Sequence, residues 1–250
     1  MKTISRAATH VGMVRELNED SFLDKAVEGT WVVADGMGGH ECGEMASGAI
    51  VSAIDKLRQA EDFDTSLAAL RQLILNVNDE LVSASEDVSR DRQPGSTIVA
   101  LLIQDGRGAV LWAGDSRIYR LRSDTFEQLT QDHTYVNELL ENNLIRPEEA
   151  QGHKMSNVIT RAVGIESPLE LDMREIRVQD GDQFLLCSDG LTHLCTNEEI
   201  HEMMGSPDEV EITDSLIHTA LVRGAPDNVT LIYVRCGDDQ EGSTVLMPIE

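Results

Sequence analysis

The stretch of residues 31–40 (WVVADGMGGH) constrains the fold most, because it joins an apolar run to an acid and a glycine-rich turn. Its β-branched and aromatic residues favour a buried strand that ends at Asp35. The glycines that follow permit unusual backbone angles, and Gly36 lets a backbone carbonyl approach a ligand closely. A buried ionised Asp needs a cation or hydrogen bonds to compensate it, and Mg²⁺ prefers carboxylate and carbonyl oxygens. Alone, the pattern also fits an ordinary strand followed by an Asp-Gly turn.

Further acids recur beside apolar runs, and each alone is more simply explained as a turn residue. Several at strand ends in one domain predict a converging cluster. Converging carboxylates repel one another, which raises their pKa values, and divalent cations relieve this repulsion. Oxygen ligands favour Mg²⁺ or Mn²⁺ over zinc or copper, and two such ions can share a hydroxide nucleophile for phosphoryl displacement. The acids are Asp35, Asp189 and Asp227 at strand ends, Asp115 between two strands, and Glu19 and Asp20 before a short run.

Arg15 gains a function beside such a cluster, because its planar guanidinium can bind phosphate oxygens in a bidentate way. The competing interpretation of residues 15–21 is a solvated turn, which charged clusters usually form.

The charge of the chain excludes some classes of partner. Its formal net charge is −25, from 20 basic and 45 acidic residues, which argues against nucleic acid and against an anionic membrane surface. The start resembles no signal peptide, and no apolar run approaches the roughly 20 residues of a membrane span. The four cysteines form no CxxC pair, so zinc is not expected, and Cys187 and Cys236 are predicted to be buried thiols of a cytoplasmic protein.

Hydrophobic periodicity predicts helices alternating with antiparallel strands in one domain. The second helix has the clearest apolar stripe, and Asp64 or Thr65 can cap its start. Residues 143–164 have few apolar residues and are predicted to form a mobile insertion over a site. Helices are expected at about 43–58, 66–84, 135–142 and 208–222, and strands at 96–103, 109–113, 116–122, 182–188 and 229–234.

Six motifs occur together in one order, and their combination is far more specific than any one of them. The chain strongly resembles the metal-dependent type-2C (PPM) serine/threonine protein phosphatases in their compact bacterial form, from about residue 5 to about residue 236. The motifs are Arg15-Glu-Leu-Asn-Glu-Asp20, Val33-Ala-Asp-Gly-Met-Gly-Gly39, Gly95-Ser-Thr97, Gly114-Asp-Ser-Arg117, Ser188-Asp-Gly190 and Asp227-Asn228.

The resemblance implies an α+β fold, a four-layer α-β-β-α sandwich of two antiparallel sheets flanked by helices. The phosphatase domain is expected at residues 1–237, with a variable flap at about 134–165 that the resemblance implies. The acidic residues that follow are expected to form a loose tail at 238–250. The resemblance further implies that Asp35 bridges two Mn²⁺ or Mg²⁺ ions, that Gly36 contributes its carbonyl, and that Arg15 holds the phosphate. By the same resemblance, Asp189 and Asp227 complete one metal site, Glu19 and Asp20 act on the other, and Asp115 binds a third, weaker ion.

One departure concerns the general acid. Relatives with Asp-Gly-His carry a candidate acid two residues after the bridging Asp, where this chain has Met37. His40 follows the glycines and is either a substitute acid or a simple loop histidine.

The leading functional hypothesis is hydrolysis of phosphoserine and phosphothreonine in proteins. One alternative is a catalytically silent regulator that binds phosphoproteins with the same fold, although every expected ligand position still carries its acid. Another is a phosphatase domain that answers to a sensor, but no sensor domain is attached. By family analogy, the partners are phosphorylated proteins and a cognate serine/threonine kinase, and the expected state is a monomer in the cytoplasm.

Overall fold

A computed structural model describes residues 2–38, 41–85, 93–150 and 152–237 of the chain. Its strands are β1 Thr3–His10, β2 Asp20–Lys25, β3 Thr30–Met37, β4 Gly95–Ser96, β5 Ile98–Gln104, β6 Arg107–Ala113, β7 Arg117–Arg122, β8 Thr125–Gln128, β9 Asp172–Arg177, β10 Gln183–Cys187 and β11 Val229–Cys236. Its helices are α1 Glu41–Asp55, α2 Phe63–Ala84, α3 Tyr135–Glu141, α4 Pro147–Ala150, α5 Asp189–Thr192, α6 Asn197–Met204 and α7 Glu209–Val222.

The strands form two sheets in which neighbouring strands run antiparallel. The first sheet has the order β1-β11-β10-β7-β8, and the second has the order β2-β3-β5-β6-β9, with β4 paired to β3. The register pairs Asp20 of β2 directly with Asp35 of β3. The side chains of two acids therefore start from adjacent positions at one end of the second sheet.

Alternation along the central strands divides their side chains between separate cores. Trp31 and Val33 of β3 face the first sheet and pack with Phe184 and Ile232 between the sheets. The intervening Val32 and its neighbours on that face pack against α1 and α2. The outer face of the first sheet packs against α5, α6 and α7. The layers are therefore helix, sheet, sheet and helix, and the α+β sandwich expected from the sequence is confirmed.

Most expected elements are present with shifted ends. The strand at Asp35 does not end there, because β3 continues to Met37 and pairs with β4 beyond the acid. The cap of α2 is Asp62, whose carboxylate accepts from the Thr65 N–H at 2.8 Å, and neither Asp64 nor Thr65 caps the helix. The predictions of Cys187 and Cys236 as buried thiols are confirmed.

The expected loose insertion ends earlier than residue 164. Val163 is fully buried and exchanges two backbone hydrogen bonds with Ser96, of 3.0 and 2.9 Å. Residues 143–158 are largely exposed where the structure describes them, and α4 lies among them. His40 and the expected tail at 238–250 lie outside the described residues.

None of the helices in the described ranges is both long enough and apolar enough to cross a membrane.

Candidate metal centre

The acids predicted from the sequence gather at one end of the paired sheets. Asp35 lies near the end of β3, and its cross-strand partner Asp20 begins β2. From the first sheet, Asp189 follows β10 as the first residue of α5, and Asp227 stands just before β11. Asp115 lies between β6 and β7. Antiparallel order places a strand's end beside its neighbour's start, which explains why residues so far apart in sequence meet here.

Asp35 is the electrostatic centre of the group. Burial first, and then the charges of Asp20, Asp189, Asp115 and Asp227, raise the pKa of Asp35 well above its usual value. Its backbone is fixed at both polar groups, because its N–H donates to Thr97 Oγ1 at 3.1 Å and its carbonyl accepts from the Thr97 N–H at 2.9 Å. The central acid therefore stands on rigid backbone among like charges, where it cannot be ionised without compensation.

The pKa values of the flanking acids are raised as well. Burial raises the pKa of Asp20 to about 7, against a partial opposing effect of hydrogen bonds from Thr230 and Ser188. Burial and the charge of Asp189 raise the pKa of Asp115 to about 7. The pKa of Asp189 is raised by burial and lowered by His193, whose Nδ1 lies 3.4 Å from Asp189 Oδ2. Raised pKa values in a cluster of this kind identify a candidate functional site.

Three carboxylate oxygens in the cluster are buried without a hydrogen-bond partner, namely Glu19 Oε1, Asp20 Oδ1 and Asp115 Oδ1. Buried polar atoms nearly always have partners, so these oxygens require an explanation. An oxygen-binding cation supplies one, because carboxylates and carbonyls are the ligands of Mg²⁺ and Mn²⁺. The residues present therefore fit such ions by their chemistry.

Within the described ranges, no three His, Cys, Asp or Glu side chains are already arranged so that they could hold a metal ion. The carboxylates would therefore have to move closer together to share a cation.

Glu19 is held in place through its backbone. Its N–H donates to Asn228 Oδ1 at 2.8 Å, and its carbonyl accepts from Gly36 N–H at 3.2 Å and from Ser47 Oγ at 2.6 Å. Gly36 has no room for a side chain, since an added Cβ would collide with the backbones of Gly43 and Glu19. The carbonyl predicted as a ligand thus sits where α1 and the Glu19 loop press against β3.

Arg15 lies at the exposed rim of the cluster. Its Nη2 atom is 2.8 Å from Asp227 Oδ2, and about half of its side chain is exposed. The hydrogen bond with Asp227 is the main cause of the raised pKa of Arg15. The guanidinium therefore faces the acids with part of its donor set open to solvent, where an anion could reach it.

Several residues that organise the site were not singled out from the sequence. Asn228 Nδ2 donates to the carbonyls of Val11 at 2.8 Å and Leu17 at 2.9 Å, which ties the loop carrying Arg15 to β11. Ser188 Oγ donates to Asp20 Oδ2 at 2.9 Å. Both residues stand inside the recognised motifs, but these contacts join segments more than 160 positions apart, which local pattern cannot predict.

A groove of about 670 Å³ runs from the acids to the flap. Its lining includes Asp115, Asp189 and His193 from the cluster and its surroundings, together with flap residues such as Ser156 and Asn157. A substrate segment lying in this groove would contact both the acids and the flap.

This sandwich, with carboxylates gathered where its sheets meet, defines the class of metal-dependent PPM phosphatases. A family model described as protein phosphatase 2C matches residues 11–220. The chain belongs to the protein phosphatase 2C family, and the family resemblance found in the motifs is confirmed.

Known proteins resemble the chain over nearly its whole length. The serine/threonine phosphatase stp of Listeria innocua is 35% identical over 245 residues, covering 94% of this chain and 96% of that protein. The structure of PppA, described as a key regulatory component of T6SS in Pseudomonas aeruginosa, has 41% identity and a TM-score of 0.86, covering 94% of this chain and 98% of that one. The PstP catalytic domain, solved in complex with 2 manganese ions, has 36% identity and a TM-score of 0.80, covering 94% and 99%.

Proposed function

We propose that the chain hydrolyses phosphoserine and phosphothreonine in proteins with the help of divalent cations. The observation that carries this function is the set of buried, unpartnered carboxylate oxygens of Glu19, Asp20 and Asp115 around Asp35. The phosphatase hypothesis is confirmed by relatives named serine/threonine phosphatases, and the catalytically silent alternative is not favoured.

The assignment of acids to ions follows the family resemblance. Asp35, at the centre of the cluster, would be the ligand shared by two ions, with the Gly36 carbonyl as a further ligand. Asp189 and Asp227, both from the first sheet, would complete the ligands of one ion, whereas Glu19 and Asp20 would act on the other. Asp115, which lines the groove, would hold a third ion. Bound ions of this kind make a water nucleophilic at neutral pH and neutralise charge on the phosphoryl group.

Arg15 binds the phosphate of the substrate. It lies beside Asp227 with half of its side chain exposed, so part of its donor set is open to a phosphoryl group arriving from solvent. Two parallel N–H···O bonds then orient the phosphoryl group toward the cluster. Asp227 keeps the guanidinium in place, because the two side chains form an ion pair when no anion is bound.

The ions are Mn²⁺ or Mg²⁺, two per chain with the third bound more weakly. The substrates are phosphorylated proteins, and a bacterial serine/threonine kinase that phosphorylates them is the partner in a signalling cycle. The protein works as a monomer. It works in the cytoplasm, where a reducing environment preserves free thiols such as those of Cys42, Cys187, Cys195 and Cys236.

Release of phosphate from a phosphothreonine peptide tests this function directly. Activity is expected with Mn²⁺, is lost in EDTA and returns with excess Mn²⁺ or Mg²⁺. Asp189→Asn is expected to lower kcat strongly with little change in thermal stability, because it removes a ligand charge without changing shape.

A matched control is Asp124→Asn, an exposed aspartate in the turn between β7 and β8. It loses the same charge far from the cluster and should keep wild-type activity. Full wild-type activity in EDTA would refute the use of divalent ions.

A further inference from the structure

His133 is a buried histidine that the proposed chemistry does not use. Its residue is 7% exposed, and its ring stacks on Trp112 with centroids 6.1 Å apart. The N–H of Gly114 donates to its Nδ1 at 3.2 Å, and its Nε2 lies 3.2 Å from Asp172 Oδ2. Since Nδ1 accepts, the ring proton sits on Nε2 and is donated to Asp172. Burial lowers the pKa of His133, which agrees with a neutral ring.

The backbone of His133 also forms a hydrogen bond with Gly114. Its N–H donates to the Gly114 carbonyl at 2.9 Å, so both polar backbone groups of Gly114 are bound to His133. Gly114 has φ +115°, and an added Cβ would collide with Thr97, so the turn has little freedom to move elsewhere. The next residue is Asp115, and its backbone position is therefore set by His133.

His133 also holds the flap. Its carbonyl accepts from the N–H of Thr160 at 2.9 Å, and the following residue, Thr134, forms a bridge with Ile159. The same part of the flap is anchored farther on by the Ser96–Val163 pair. One residue thus contacts both the turn that carries Asp115 and the base of the flap across the groove.

We propose that His133 is a positioning residue that fixes the turn at Gly114 to the flap base, so that the Asp115 carboxylate faces the groove. The inference rests on the proposed function and on the assignment of Asp115. His133 does not touch the reacting groups, and its effect on turnover passes through Asp115.

Two substitutions separate positioning from packing. In Asn, the amide oxygen lies the same number of bonds from Cβ as Nδ1 does, so His133→Asn retains the acceptor for Gly114. In Gln, the amide group lies as far out as Nε2, so His133→Gln retains the donor to Asp172 and loses the acceptor. Gln fills more of the ring volume than Asn, so a purely structural role would rank Gln above Asn.

Positioning predicts the opposite order. His133→Gln should lower kcat on a phosphothreonine peptide about tenfold, as expected when a buried donor loses its acceptor, with a smaller loss on an aryl phosphate. His133→Asn should keep most of the peptide kcat. The matched control is His201→Gln, which removes a half-buried ring from a stack with Phe126 outside the site and should change neither rate.

A second readout needs neither metal nor substrate. Amide hydrogen exchange at Gly114 in EDTA should be slow in the wild type and in His133→Asn, and at least about tenfold faster in His133→Gln. A higher peptide kcat in Gln than in Asn, equal loss on both substrates, or unchanged exchange at Gly114 would each overturn the proposal. Absence of activity in the wild type would instead refute the proposed function. The exchange measurement would still test the hydrogen bond between Gly114 and His133.

If His133→Gln fails to fold, His133→Phe takes its place. Phe keeps an aromatic ring beside Trp112 but has no nitrogen, so it loses the acceptor for the Gly114 N–H. Faster exchange at Gly114 is expected, and unchanged exchange would overturn the proposal. Phe also loses the contact with Asp172, so the control is Asp172→Ala, which removes that contact, leaves Nδ1 in place and should leave exchange at Gly114 slow.

Discussion

At the scale of one residue, Arg15 either binds the phosphate of the substrate or belongs to a solvated turn. Its guanidinium is paired with Asp227 at 2.8 Å and is half exposed. If it binds the phosphate of the substrate, Arg15→Ala should raise KM through a loss of about 1.5–3 kcal/mol, the usual contribution of a hydrogen bond to a charged group. Arg15→Lys should not restore KM, because an ammonium cannot form the bidentate contact. Steady-state kinetics on a phosphopeptide measures both variants.

The control for Arg15 is Arg6→Ala. Arg6 forms a comparable ion pair with Asp214 at 3.1 Å, away from the acids, and its loss should leave KM unchanged. Wild-type KM and kcat in Arg15→Ala would contradict phosphate binding by Arg15 and would support a solvated turn at residues 15–21.

Asp115 is the second residue whose function can be separated from structure. Its carboxylate is buried and Oδ1 has no partner, so it is available to an ion. Asp115→Ala should still bind two ions by calorimetry but turn over slowly, most of all on phosphopeptides. An alkoxide leaving group needs a proton more than an aryl oxide does, and Met37 replaces the usual acid.

A turn-capping function for Asp115 gives a different pattern. In that case Asp115→Ala would lower the melting temperature and leave kcat on the peptide unchanged. Measuring kcat on both substrates beside the ion count distinguishes the two functions.

At the scale of elements, much of the flap has little support from packing. Residues 143–150 and 152–158 are largely exposed, whereas residues 162–164 are buried and bonded to the scaffold. Proteolysis should therefore cut first within 143–158. Replacing residues 145–156 by a short Gly-Ser linker should change the ratio of rates on protein and aryl substrates while leaving ion binding intact. Equal loss on both substrates would make the segment part of the scaffold.

The start of α2 allows a test of a cap that the sequence placed elsewhere. The Asp62 carboxylate accepts from Thr65 N–H at 2.8 Å and from Thr65 Oγ1 at 2.7 Å. Asp62→Ala should lower the free energy of unfolding by about 1 kcal/mol in urea titration. Asp64→Ala, at one of the two positions that the sequence offered as the cap, should cost less, because Asp64 contributes an exposed pair with Arg107. The reverse order would contradict the assignment.

The elements that the sequence predicted are those with a strong period. The stripe of α2 and the hairpin of β5 and β6 were readable because their apolar residues repeat at helical or strand spacing. Edge strand β9 was missed, since Asp172–Arg177 is mostly polar and exposed and shows no alternation. The acids of the site were found because they interrupt apolar runs. The contacts of His133 and Asn228 were not, since they depend on tertiary pairing.

At the scale of the whole molecule, the acids that meet at Asp35 belong to a chain whose net charge is −25. Without cations, the fold brings carboxylates together against both local and overall repulsion. Cation binding should therefore stabilise the protein more than an equal ionic strength of NaCl does.

Protons and metal ions compete for these carboxylates. Stability should therefore depend on pH with opposite signs in the metal-free and the Mn²⁺-bound protein. Without a bound ion, burial raises the pKa values of Asp20 and Asp115 from 3.8 to about 7, so the folded state binds protons that the unfolded state releases. Their stabilising contribution is complete below pH 3.8 and is lost as the pH rises through about 7. With Mn²⁺, ionised ligands are required, so the affinity for Mn²⁺ and the stability gained from binding it should rise as the pH rises toward 7.

Melting temperatures measured from pH 5.5 to about 8 should fall in EDTA relative to Asp20→Asn and rise with Mn²⁺. Parallel slopes in EDTA and Mn²⁺ would show that the acids do not share a cation.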